Sequence, residues 1–237
     1  MGPVSGYLPR FGRAWLYLFG LLWAATAQTQ ALSPEVSRGL LWLQSQVQLD
    51  GTLANEGTSI ATALQNRTEA AQTLKTLSTL PANLADAIAG ETEGNTEYLA
   101  RRIASLALAG RDASALVSAL SDRQNPDGGF GGGPGYDSNA LDTGWALIAL
   151  KSAKAFAPVS PALGYLISAQ ASDGSYSAPS RPDVEATAIA VLAQRLYASQ
   201  FNDVIATVFR AVGYLLAQQS PVQLWGDSAF LTATAYE

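Results

Sequence analysis

Residues 139–153, "NALDTGWALIALKSA", decide the reading of the whole chain. The stretch opens on Asn139, whose side-chain oxygen suits the free backbone N–H groups of a first helical turn. The remainder is apolar or small on nearly every side, so a helix here has to be surrounded by protein. Three further segments share the form: "NTEYLARRIASLALAG" from Asn95, "DVEATAIAVLAQRLYA" from Asp183 and "SAFLTATAYE" from Ser228. Their first residues stand 44, 44 and 45 positions apart, a period that marks a repeat architecture.

A second class of segment lies between these. "LLWLQSQ" from Leu40, "ASALVSALSDRQ" from Ala113, "ALGYLISAQ" from Ala162 and "VFRAVGYLLAQQ" from Val208 carry apolar residues at i, i+3 or i+4 with polar ones between. That is the pattern of a half-exposed helix. The unit is therefore a helical hairpin, one helix walled in and the other needing cover on one stripe only. Small residues such as Ala186, Ala188, Ala190 and Ala193 let inner helix axes approach closely, which favours a closed arrangement over an open solenoid. The predicted fold is all-α: an alpha-alpha toroid of about five helical hairpins. Trp42 and Trp225, like Tyr165 and Tyr214 in the paired "GYL" strings, read as wedges between hairpins.

Turns repeat as well. Asp50-Gly51-Thr52-Leu53, Asp127-Gly128-Gly129-Phe130 and Asp173-Gly174-Ser175-Tyr176 each come after an outer helix. Asp hydrogen-bonds its own following backbone, glycine supplies a positive φ, and the apolar or aromatic residue packs back over the hairpin. "GGFGGG" at 128–133 has no Lys-Ser or Lys-Thr pair behind it, so it does not complete a phosphate-binding loop.

Composition narrows the chemistry. The chain of 237 residues is 48% hydrophobic and 14% charged, with a formal charge of -5 and no cysteine or histidine. A packed core is expected, whereas the basic face that holds a nucleic acid is not. Disulfides, thiol chemistry, Ser-His-Asp triads and the common Cys/His zinc sites are excluded, and no cofactor is called for. Arg10 and Arg13 precede the apolar run "AWLYLFGLLWA" at 14–24 and the small residues around Ala27, the layout of a secretory signal peptide over residues 1–27. The run falls short of the roughly 20 residues of a spanning helix. The expected product is exported, periplasmic, cell-surface or extracellular, and carries no membrane span once the signal is removed.

The turns from Gln124 to Phe130 and from Gln170 to Tyr176, each leading into a capped "T-A/G-x-A" helix, resemble the repeats of the terpenoid cyclase and protein prenyltransferase toroid superfamily. That group includes squalene-hopene cyclases, prenyltransferase β subunits and secreted bacterial repeat proteins, and the resemblance covers residues 35–237. Prenyltransferases hold a catalytic zinc with Asp, Cys and His, two of which are missing here. Cyclases of the group protonate an alkene with the middle carboxyl of a "DxDDTA" motif; "DVEATA", Asp183 to Ala188, corresponds, with Ala186 in place of the last acid. The resemblance thus puts forward Asp183 and Glu185 as candidate catalytic residues, Glu185 standing where the proton donor stands. Against this, Asp183 reads as a helix cap and Glu185 as a complement to the helix dipole, as Asn95, Asn139 and Ser228 fill the same cap position without any catalytic role.

Tyr136, Asp142 and Trp145, within "YDSNALDTGW", are the candidate binding residues, set at one mouth of the toroid where a sugar or lipid would sit. The expected function is a non-catalytic scaffold or binding module of a larger envelope or secreted protein; the alternative is a cyclase-like isomerase with a carboxylic acid as proton donor. Residues 28–237 hold just under five units, short of the six common in the resembled family, so the resemblance implies an incomplete (α/α)6 barrel. The expectation is a toroid domain truncated at its C-terminus, its open edge covered by the remaining domains of a longer chain or by a second protein chain, with polysaccharide or lipid as further partners.

Overall fold

A computed structural model describes residues 32–59, 61–92, 94–178, 181–182, 184–222, 224–225, 232 and 235. The chain divides into two compact units, Met1–Gly39 and Leu40–Glu237. In the first, the described residues are the opening of helix α1 (Pro34–Gln46), where the Ser33 hydroxyl accepts the Val36 N–H at 3.3 Å and Arg38 pairs with Glu35. The expected signal segment lies outside the described residues.

The protein is all-α. The second unit continues with α2 (Ala63–Leu77), α3 (Ala82–Gly90), α4 (Thr96–Leu108), α5 (Ser114–Ser121), α6 (Ala140–Ser152), α7 (Val159–Ala169), α8 (Val184–Arg195) and α9 (Asp203–Gln218). A two-residue antiparallel ladder, Ser177–Ala178 with Arg181–Pro182, is the one strand pair among the described residues. Packing runs in chain order: α2 lies against α4, α4 against α6 and α6 against α8, while α3 covers α2 and α4, α5 covers α4, α7 covers α6 and α9 covers α8. The even-numbered helices thus form an inner series, and α3, α5, α7 and α9 a covering series.

Local chemistry places the inner helices. The Asn95 side chain accepts the Tyr98 N–H at 2.7 Å and the Asn139 side chain accepts the Asp142 N–H at 2.9 Å, the caps expected for α4 and α6. The expected caps Asp183 and Ser228 lie outside the described residues. A further inner helix, α2, is capped by Thr62 and Gln65 in a reciprocal box. It escapes the period because Thr62 precedes Asn95 by 33 residues and because Arg67, Glu69 and Lys75 hide its buried stripe of Leu64, Ala71 and Leu74.

The repeated turns couple successive covering helices. Gln124 Nε2 donates at 2.8 Å both to the Gly128 carbonyl of its own turn and to the Pro158 carbonyl at the start of α7. Gln170 Nε2 does the same with Gly174 at 3.1 Å and Thr207 of α9 at 2.8 Å. The glycine between is pressed on the same helix: a Cβ at Gly128 would stand 2.5 Å from the Pro161 carbonyl oxygen, and one at Gly174 would stand 2.3 Å from that of Arg210. Both also have positive φ. The aromatic residue closing each turn is fully buried, and its backbone N–H donates to a threonine of the next inner helix: Phe130 to Thr143 at 2.9 Å and Tyr176 to Thr187 at 3.0 Å. Trp225 repeats the bond with Thr232 at 3.1 Å. The "T-A/G-x-A" threonine is therefore the acceptor that holds turn to helix.

Two apolar clusters result, one around α4, α6 and α8 and one around α2 and α3. Burying a side chain such as Leu147 or Leu166 contributes roughly 1.5–3 kcal/mol. Several polar groups inside the larger cluster satisfy one another: Gln194 donates to the Tyr176 hydroxyl and accepts from Thr207, and the Tyr197 hydroxyl donates to the Leu147 carbonyl at 2.9 Å. Burial pushes the Tyr197 phenol far above its ordinary range.

Candidate functional site

Leu141, Trp145, Ile148 and Ser152 of α6 are half-buried and form one row at helical spacing. One repeat earlier the same row is Glu97, Arg101, Ala104 and Leu108 on α4; one repeat later it is Glu185, Ile189 and Leu192 on α8, with Leu196 just past its end. Because α4, α6 and α8 pack in sequence, the three rows form a strip. It is charged and aromatic towards the helix N-termini and apolar towards the C-termini.

Arg101 organises the polar end. Its side chain is only 4% exposed, its Nε donates to Glu97 at 2.7 Å and its Nη1 to Glu69 at 2.5 Å. Its guanidinium carbon lies 4.0 Å from the centre of the Trp145 ring, within cation–π range. Gln65 Nε2 adds a 2.9 Å bond to the same Glu97 oxygen. The arrangement is a fixed cation held between two carboxylates and an indole, in the planar, directional geometry that a guanidinium supports.

Asp142 lies one turn before Trp145. Burial raises its carboxyl pKa, the Asn139 amide at 2.6 Å opposes the rise, and the nearby Glu97 charge adds to it. Tyr136 is placed differently, at 69% exposure on the tip of the glycine loop, where its backbone carbonyl accepts from Asn125 at 3.0 Å. That loop is tied to α4 by the Thr96 N–H, which donates to the Gly132 carbonyl at 3.0 Å. The structure therefore brings Asp142 and Trp145 together with Glu97 and Arg101, and leaves Tyr136 at the rim of the loop.

Glu185 is half-buried in the first turn of α8 and is a partnered group, whereas Asp183 lies outside the described residues. Three buried polar atoms have no partner among the described residues: Thr96 Oγ1, Arg102 Nε and Trp145 Nε1. Among the described residues no group of His, Cys, Asp and Glu has the geometry to hold a metal ion.

Sequence reasoning did not single out Glu69, Glu97 or Arg101. The available signal was register, since Arg101 precedes Trp145 by one whole period and stands four residues after Glu97 on the same helix face. The wedge reading holds for Trp225, which is buried and donates from Nε1 to the Leu215 carbonyl at 2.7 Å, and for Tyr165, whose hydroxyl donates to the Ser138 carbonyl at 2.8 Å. Trp42 departs from it: the side chain is 63% exposed and belongs to neither apolar cluster. No protein-family model matches the chain, and no curated protein matches it significantly.

Proposed function

We propose that the chain is a non-catalytic helical-repeat scaffold of an exported protein, its hairpins curling as an alpha-alpha toroid, which binds a protein partner along α9. The observation that carries this reading is the outer face of α9. Ile205, Phe209, Val212 and Leu216 form one apolar row at i, i+4, i+7 and i+11, with Phe209 74% and Leu216 61% exposed. Contiguous exposed apolar rows on a folded domain mark contact surfaces. Three carboxylates at or beside the inner strip are meanwhile engaged in caps and ion pairs: Asp142 with Asn139, and Glu97 and Glu69 with Arg101.

The test is light scattering and dye binding on the wild-type chain and on the double variant Phe209→Ser, Leu216→Ser. The wild type is expected to bind an apolar dye or to self-associate with rising concentration, and the double variant to lose both. A wild-type chain that stays monomeric and dye-free ends the proposal.

A cyclase-like isomerase is the second reading, favoured by the half-buried Glu185 at the proton-donor position and by the raised Asp142 carboxyl on the neighbouring inner helix. It predicts cyclised product from squalene, lost in Glu185→Gln. Absence of product from the wild type removes this reading.

A further inference from the structure

A cleft of about 320 Å³ opens beside α1 and α2. Its wall is apolar where Trp42 and Leu43 stand, and its rim carries the amides of Gln46, Asn55 and Asn66 and the carboxylate of Glu69. Trp42 is the most exposed of the described tryptophans, and neither apolar cluster of the hairpins uses its ring. A large aromatic face held in water at the edge of a cleft is costly to hydrate and is the surface that a ligand with an apolar side relieves.

The charges around the cleft narrow the ligand. Arg67 binds Glu56 through two bonds, Nε to Oε2 at 3.0 Å and Nη2 to Oε1 at 2.5 Å, and also reaches Glu91. Glu69 is paired with Arg101. The two carboxylates of the lining are thus each held by an arginine that a second carboxylate shares, and among the described residues no lysine, arginine or histidine lines the cleft. A phosphate, sulfate or uronate would find no cation to meet it.

Asn55 adds a positioned polar group. It holds a left-handed backbone, φ 62°, just before the 3-10 turn Glu56–Thr58, and its side chain makes no capping bond there. Asparagine adopts that conformation more readily than other non-glycine residues. Here it leaves the amide uncommitted at the cleft. Asn66 spends one Nδ2 hydrogen on the Ala61 carbonyl at 3.3 Å, and its amide nitrogen carries a second.

An aromatic platform, planar amides with donors to spare and a lining without a cation match the chemistry of an uncharged pyranose, which has an apolar face of C–H groups and a polar equator of hydroxyls. We propose that this cleft binds a neutral saccharide, with Trp42 stacking on the sugar face and the Asn55 and Asn66 amides meeting its hydroxyls. Ligand pockets run from about 300 to 1,000 Å³, so the cleft admits roughly one or two sugar rings. This inference does not rest on the α9 reading above.

The test is calorimetric titration of the full chain with neutral trisaccharides of β-1,4-glucose, α-1,4-glucose, β-1,4-xylose and N-acetylglucosamine, with trigalacturonate as the charged comparator. At least one neutral trimer is expected to bind with a Kd of about 1 mM or tighter. Trigalacturonate is expected not to bind. Trp42→Ala should weaken the bound trimer about tenfold or more at unchanged thermal stability, and Trp42→Tyr should restore most of it. Failure of every neutral trimer to bind, equal affinity in Trp42→Ala, or a Trp42→Ala chain altered only in its oligomeric state would each overturn the assignment.

Discussion

Gly174 shows how much one missing atom decides. A methyl group there would meet the Arg210 carbonyl oxygen at 2.3 Å, and the backbone at φ 91° already disfavours any side chain. Gly174→Ala is therefore expected to lower stability by about 2–4 kcal/mol in urea unfolding. Gly164, inside α7 with no atom within 4 Å of where a Cβ would stand, is the control: Gly164→Ala should raise stability by up to about 1 kcal/mol. Asp142 supplies a charge test at the same scale. Burial raises its folded-state pKa, so the folded chain holds that proton more tightly than the unfolded chain and loses stability as pH rises through the shifted range. Asp142→Asn should raise Tm by about 2–4 °C at pH 7, with the difference vanishing below about pH 3 in thermal circular dichroism. The turn glycines were legible in the sequence as sources of positive φ, whereas their closeness to a helix more than thirty residues downstream was not. Arg101 was not legible either, because one of two adjacent arginines in a helix does not announce which indole and which carboxylates it will meet.

Helices that obey the 44-residue period were legible from their caps and their side chains alone, α4 and α6 most clearly. Those that depart from it were not. The first inner helix, α2, starts eleven places late in the count and is heavily charged, and α3 is nine residues long with no flanking Asp-Gly turn to mark it. Between elements, the glutamine that opens each turn is the clearest case of a side chain whose role depends on a partner distant in sequence. Gln170 donates to two backbone carbonyls and accepts from Arg210 Nε at 2.9 Å. Gln170→Ala is expected to cost about 1–3 kcal/mol, because the Thr207 and Gly174 carbonyls lose their donor in a partly enclosed site. Gln170→Glu should cost more than Gln170→Ala, since a carboxylate facing the same two carbonyls has no N–H to offer. Urea unfolding of the three chains ranks them.

At the scale of the molecule, the helical class and the alternation of inner and covering helices were legible, because a segment apolar all round and a segment apolar on one stripe have different needs for cover. Which faces remain bare was not legible: Ser160 on α7 and Phe209 on α9 hold equivalent places relative to their Gly-Tyr-Leu strings, yet only the second exposes an aromatic ring. Trp42 was equally ambiguous, as helical spacing suits a wedge and a platform alike. The grip of each turn on a later covering helix also governs how such a chain tolerates gain and loss of sequence. A deletion from Gly128 to Asp173 would join Asp127 to Gly174, leaving Gln124 to find the carbonyl of Thr207 in place of Pro158, so that whole modules are interchangeable cassettes. Removal of half a module would strand one clasp without its eye, and lengths of this protein in nature should accordingly vary by entire periods.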